Sequence, residues 1–256
     1  LRLVSPHAYW YVEEGLNMGQ RDLERSAEIF EEDIYPRVTA AFGEEWSPGV
    51  DNDPHLNIIN ARLKGVLGYY SSSDEYPKSV SPFSNQREII YLNTNVLPME
   101  SPRYLEVLAH ELQHAAHWAS DPTEETWINE GLSELATFLA GYRPNSGRRF
   151  LRSRPTSLLH WPLSSLASGT YYGAASLFMH YLWEHYSRGD DLQALVSQQE
   201  DGIAGIDAYL KASGYQERFR DVFGEVADTH LSPANRDALF PGHVLEPRNY
   251  KGLVKT

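Results

Sequence analysis

A single pentapeptide limits this chain more than its composition does. His110-Glu111-Leu112-Gln113-His114 lies inside a stretch whose apolar residues repeat as they do along one long helix. Ser101 can cap that helix, Pro102 suits its first turn, and Tyr104, Leu105, Leu108, Leu112, Ala115 and Ala116 carry the stripe until Asp121-Pro122 ends it. At about 100° per residue, His110 and His114 fall roughly 40° apart around the axis and one turn apart along it, so both imidazoles can reach one ion. Glu111 is turned too far to join them as a ligand but is placed to meet a water held on that ion. An H-E-x-x-H on a helix is the zinc hydrolase arrangement.

Five residues of common types also arise by chance, so the weight falls on the residues downstream. Trp127-Ile128-Asn129-Glu130-Gly131-Leu132-Ser133-Glu134 opens a second helical run, with Ile128, Leu132, Leu135, Ala136 and Leu139 as its apolar face. A catalytic zinc site uses three protein ligands and keeps one position open, and two histidines with a glutamate form one known set. Glu130 supplies the missing carboxylate, for one zinc ion per chain. Glu134, a turn further on, can accept the second ring N–H of a ligating histidine and fix its tautomer.

With both motifs in view, the chain resembles the gluzincin metallopeptidases of the thermolysin and aminopeptidase N superfamily. HELQH at 110–114 and WINEGLSE at 127–134 carry the resemblance, and similarity to hyicolysin-like bacterial peptidases extends through SNQREIIYLN at 84–93 and YYGAASLF at 171–178. It implies that His110, His114 and Glu130 bind zinc, that Glu111 is the general base, and that Glu134 orients His110. It departs from thermolysin in spacing, since only fifteen residues separate His114 from Glu130. It also implies an oxyanion donor after the glutamate ligand, often a tyrosine at a helix start near Gly-Ala. Tyr172 in Thr170-Tyr171-Tyr172-Gly173-Ala174 is the first choice, although aminopeptidase-like spacing falls on Thr170. Tyr171 is the reserve, with His230 and His160 behind it. Gluzincins hold substrate on an edge strand, and Gly65–Tyr70 is the candidate here, with Gly68 and Tyr69 against the peptide.

The formal net charge of −13 argues against nucleic acid and anionic membrane surfaces as partners, because both need clustered lysine and arginine. No apolar run is long enough to span a bilayer; Leu177 to Trp183 is short and interrupted by His180. The absence of cysteine leaves histidine and carboxylates to hold any ion. Leu1 in place of methionine suggests a processed chain, and the resemblance to cysteine-free exported peptidases points to a soluble protein outside the cytoplasm.

The expected fold is α+β, a zincin-like two-lobed metallopeptidase with the active-site helix at the cleft. Residues 1–120 make a sheet-bearing lobe: strands at Ala8–Val12, Leu56–Asn60, Gly65–Tyr70 and Glu88–Leu92, and a helix over Asp22–Phe42 that Pro36 disturbs. A loop is expected at Trp46–Gly49, and a longer polar one over 71–84. Residues 121–256 make a helical lobe, with a basic, loop-rich insert over 143–161, a helix over Tyr172–Tyr186, three shorter helices near Asp191–Gln199, Ile203–Ala212 and Glu217–Leu231, and a tail or linker over 232–256.

Other polar groups fit structural roles. His117 is about 10 Å along the axis from His110, too far to converge with the pair, and reads as a packed histidine. Asp51-Asn52-Asp53 reads as a turn, His180 and His185 as structural, and Arg148 to Arg154 as a solvated face. The function expected is zinc-dependent hydrolysis of peptide bonds, on peptide or protein substrates. Endopeptidase is favoured because no Gly-x-Met-Glu-Asn segment precedes His110. Aminopeptidase remains the alternative, and an inactive metal-binding recognition protein is a third reading that the intact Glu111 argues against.

Overall fold

Three apolar runs form the centre of the sheet in the computed structural model, which describes residues 1–152, 157–159, 161, 169–187 and 192–230. The strands are β1 (Leu3–Val4), β2 (Ala8–Val12), β3 (Leu56–Ala61), β4 (Gly68–Tyr70) and β5 (Ile89–Asn93), in the order β1-β2-β3-β5-β4. β2, β3 and β5 run parallel, with Trp10 opposite Ile58 and Ile58 opposite Ile90. All five residues of β5 are buried, as both faces of a parallel strand usually are. β1 and β4 close the two edges antiparallel. The strand expected from Gly65 forms only from Gly68, because Gly65 at φ +77° turns the chain before pairing begins.

The expected helix over 22–42 is α1 (Gln20–Ile29) and α2 (Tyr35–Phe42) joined by a π turn at Phe30–Ile34. The Tyr35 N–H reaches back five residues to the Phe30 carbonyl. Pro36 has no N–H, and its ring would crowd the carbonyl four residues earlier in a regular helix, so the widened turn takes up the misfit.

α3 (Pro102–Ser120) starts and stops where the sequence places it, with Ser101 Oγ accepting the Tyr104 N–H at 3.2 Å and Asp121 extended. It packs on β4, β5 and α2, and on α4 (Thr126–Leu139), which in turn packs on α6 (Gly169–Tyr186). α5 (Ser146–Leu151) is a short helix inside the expected insert, and α7 (Gln193–Val196), α8 (Gly202–Ala212) and α9 (Phe219–His230) follow. Buried apolar side chains form one continuous cluster from Ala8 to Ala227, so the sheet-bearing and helical parts share a core. The fold is mixed, dominated by helices around a small five-stranded sheet. Among the described residues no helix is long and apolar enough to cross a membrane. The expected tail over 232–256, His160, Ser153 and Arg154 lie outside the described residues, as does the His230 side chain.

Candidate metal centre and its cleft

α4 crosses α3 so that Glu130 meets both histidines of the pentapeptide. Glu130 Oε2 is 3.1 Å from His110 Nε2 and 3.4 Å from His114 Nε2, and the three residues each bring a ligand atom within 4.8 Å of the others. A tetrahedral zinc with bonds of roughly 2.0–2.1 Å separates its ligand atoms by about 3.3 Å. The two measured separations therefore suit a shared zinc ion, and the donor set of two imidazole nitrogens and a carboxylate oxygen suits that metal. His110, His114 and Glu130 are the residues that could hold it.

The charges favour such an occupant. Burial alone would lower His110, but the hydrogen-bonded Glu130 and the carboxylates of Glu111 and Glu134 outweigh it and push the imidazole up to about 9. Burial likewise opposes ionisation of Glu130, yet His114 and His110 hold it well below the usual carboxylate range. The three carboxyls of Glu111, Glu130 and Glu134 thus gather negative charge around His110 that a cation can face.

Each histidine is steadied from its other ring nitrogen. His114 Nδ1 meets Asn129 Oδ1, and Ser133 Oγ lies 3.1 Å away. Ser133 also bonds the Gln113 side chain and the Asn129 carbonyl. His110 Nδ1 faces Glu134 Oε1 at 3.9 Å, beyond a hydrogen bond but within ion-pair reach, while Glu134 Oε2 accepts from Ser146 Oγ. Sequence reasoning placed Glu134 beside His110 but missed Asn129, Ser133 and Gln113. The available signal was that a ligating histidine needs a partner on its second nitrogen, and Asn129 and Ser133 stand one turn apart on the helix that carries Glu130.

Glu111 points the other way, into the gap beneath the sheet edge, where its Oε2 accepts the Tyr70 N–H at 3.0 Å. It is 7% exposed, and burial raises its carboxyl although His110, His114 and the Tyr70 N–H pull it down. The Asn93 N–H donates to the Leu67 carbonyl, so alternation along β4 turns the main chain of residues 67 and 69 toward β5 and that of 68 and 70 toward the open edge. Of the expected pair, then, Gly68 offers outward main chain. Tyr69 does not, and its ring stacks on Tyr91 at 4.4 Å. Gly68 lies so close to α3 that a Cβ there would come within 2.7 Å of Val107 Cγ1 and 2.9 Å of the Tyr91 carbonyl oxygen.

A cleft of about 710 Å³ opens along this edge, lined by Leu67, Gly68, His110, Glu111, Glu134 and Tyr172 among others. From α6, the Tyr172 hydroxyl donates to Glu130 Oε1 at 3.2 Å; burial first, and then Glu130, raise its pKa. Tyr171 and Tyr172 both set their rings beside Trp161. Away from the cleft, His180 Nδ1 bonds the Ser176 carbonyl, and Asp51 Oδ1 accepts the Asp53 N–H in a turn. His117 is buried with Nδ1 beside the Gln113 amide, and burial lowers it to about 3.

No known family model matches this chain, and no curated protein matches it either.

Proposed function

We propose that the protein is a zinc metallopeptidase of the gluzincin kind, with a zincin-like, two-lobed α+β fold whose sheet-bearing part is residues 1–120 and whose helical part begins at 121. The observation that carries this reading is the meeting of His110 Nε2, His114 Nε2 and Glu130 Oε2 beside a buried Glu111 carboxylate. A zinc ion held by those three residues supplies Lewis acidity, polarising the scissile carbonyl and lowering the pKa of water at the open position to about 7.

The chain's own groups do the rest. Glu111, made more basic by burial, takes the proton of the attacking water and hands it to the leaving amine. The Tyr70 N–H holds that carboxylate at the sheet edge. Tyr172, whose hydroxyl already stands beside Glu130, donates to the carbonyl oxygen as negative charge grows there. An extended peptide pairs with the outward main chain at Gly68, which tolerates many side chains and suits an endopeptidase. The resemblance to exported peptidases supports work outside the cytoplasm, with a peptide or protein as the partner.

A chelator should abolish cleavage of internally quenched, N-blocked peptides, and added zinc should restore it. Hydrolysis that ignores the chelator contradicts the reading. Cleavage confined to unblocked amino-acid 4-nitroanilides moves it to an aminopeptidase.

A further inference from the structure

A second group of possible ligands lies where α3 ends. His117, Asp121 and Glu124 each bring one ligand atom within 4.8 Å of the others. Asp121 is 7% exposed and uses Oδ1 for the N–H and hydroxyl of Thr123, while its buried Oδ2 has no hydrogen-bond partner. An oxygen of that kind, buried and charged, is costly unless something positive faces it. Glu124 commits Oε1 to the N–H groups of Glu125 and Gly202, which leaves its second oxygen outside those bonds. Thr123 Oγ1 also draws in Asp201, at 3.1 Å. Burial, with Asp121 and Asp201 beside it, pushes the Glu124 carboxyl up to about 7, and the group sits at the C-terminal end of a nineteen-residue helix, whose dipole favours a cation.

His117 can present a lone pair to the same point. Its Nδ1 is 3.3 Å from the Gln113 amide, and Gln113 bonds Ser133 Oγ, which itself donates to the Asn129 carbonyl. As placed, the Gln113 amide nitrogen faces Nδ1 and Ser133 Oγ donates to Gln113 Oε1; turning that amide by half a turn lets Nδ1–H donate to its oxygen, the NH2 donate to Ser133, and Ser133 donate to Asn129 alone. His117 Nε2 is then free to ligate. The same chain of bonds ends on His114, so the second cluster is tied to the first through Gln113 and Ser133.

We propose that His117, Asp121 and Glu124 form a second, structural site for a divalent cation of the zinc or manganese class, clamping the end of α3 to the starts of α4 and α8. One imidazole with two carboxylates suits those ions better than calcium, which takes six to eight oxygens. The site stands on its own ligands and does not depend on the catalytic reading.

Zinc uptake and thermal unfolding of the full chain in a Glu130→Ala background test it, since that change removes a ligand of the first centre. This variant should still bind a single zinc ion and should unfold about 5 °C higher at a hundredfold excess of zinc over Kd. Adding Asp121→Asn, or Glu124→Gln should Asp121→Asn fail to fold, should abolish both effects. Manganese should substitute in part and calcium should not. No zinc uptake by Glu130→Ala, equal uptake after the Asp121 or Glu124 change, or a response to calcium alone would overturn the proposal. Equal zinc in wild type and Glu130→Ala would overturn the first centre instead, with the Asp121 comparison still deciding the second.

Discussion

On the proposed reading, replacing the Glu111 carboxylate by an amide removes the base and leaves all three ligands. In Glu130→Ala the reverse holds, and zinc bound at the first centre should fall away, as it should in His114→Ala. Zinc content of the purified variants checks this, and metal equal to wild type in both would mean the ligands are wrongly assigned. Tyr172→Phe keeps the ring that packs on Trp161 and loses only the hydroxyl. We expect kcat to drop about 10²-fold with KM and zinc nearly unchanged. Wild-type kcat would return the oxyanion to Tyr171 or another donor. At this scale the sequence is most legible where spacing alone sets geometry: His110, Glu111 and His114 share one helix, so three positions determine their directions. Asn129 and Ser133 could be narrowed to one helix face by their spacing, but which of them reaches His114 depends on how α4 lies across α3, and no local pattern encodes that.

Elements carry the next constraints. β4 lies against α3 at Gly68 with no room for a side chain, so Gly68→Ala should push the edge strand away from Val107 and from α3. We expect a stability loss of about 1–3 kcal/mol and weaker peptide binding, read as a lower Tm together with a raised KM; unchanged values for both would show that the strand yields freely. Beneath the same strand, Glu75 receives the Tyr70 hydroxyl and is 2% exposed, and burial together with Glu88 pushes its carboxyl up to about 8. Between its ordinary pKa of 4.5 and about 8 the folded state therefore binds more protons than the unfolded one, so this pair's contribution falls as pH rises through that window. Melting curves at pH 5 and pH 8.5 should show the higher Tm at pH 5, and Glu75→Gln, which stays neutral, should flatten the difference. A Tm that climbs with pH equally in both proteins would contradict this. The helix ends of α3 were readable from Ser101, Pro102 and Asp121-Pro122, since capping is local. The order of strands was not, because it rests on pairing across up to 48 residues, from Ala8 to Leu56, and the late start of β4 rests on a glycine whose positive φ only the folded chain reveals.

Across the whole molecule, the crossing of α3 and α4 within one continuous core is what turns two separate sequence motifs into a single centre. Trp127, Leu132 and Leu135 are buried on the helix that delivers Glu130, so the packing that closes the core also sets that carboxylate beside the two histidines. The mixed fold and the shared helix face of His110 and His114 were legible because apolar periodicity and helical spacing are short-range. The shared core between the two halves was not, since a boundary drawn where strands give way to helices says nothing about how the halves pack. The most direct measurement sets zinc content beside hydrolysis of an N-blocked quenched peptide, in wild type and Glu111→Gln prepared in parallel. We expect equal zinc in the two proteins and a rate lower by about 10² to 10⁴ in the variant. An active Glu111→Gln, or one that is inactive because its zinc is gone, would contradict the assignment of Glu111 as the base beside a centre formed by His110, His114 and Glu130.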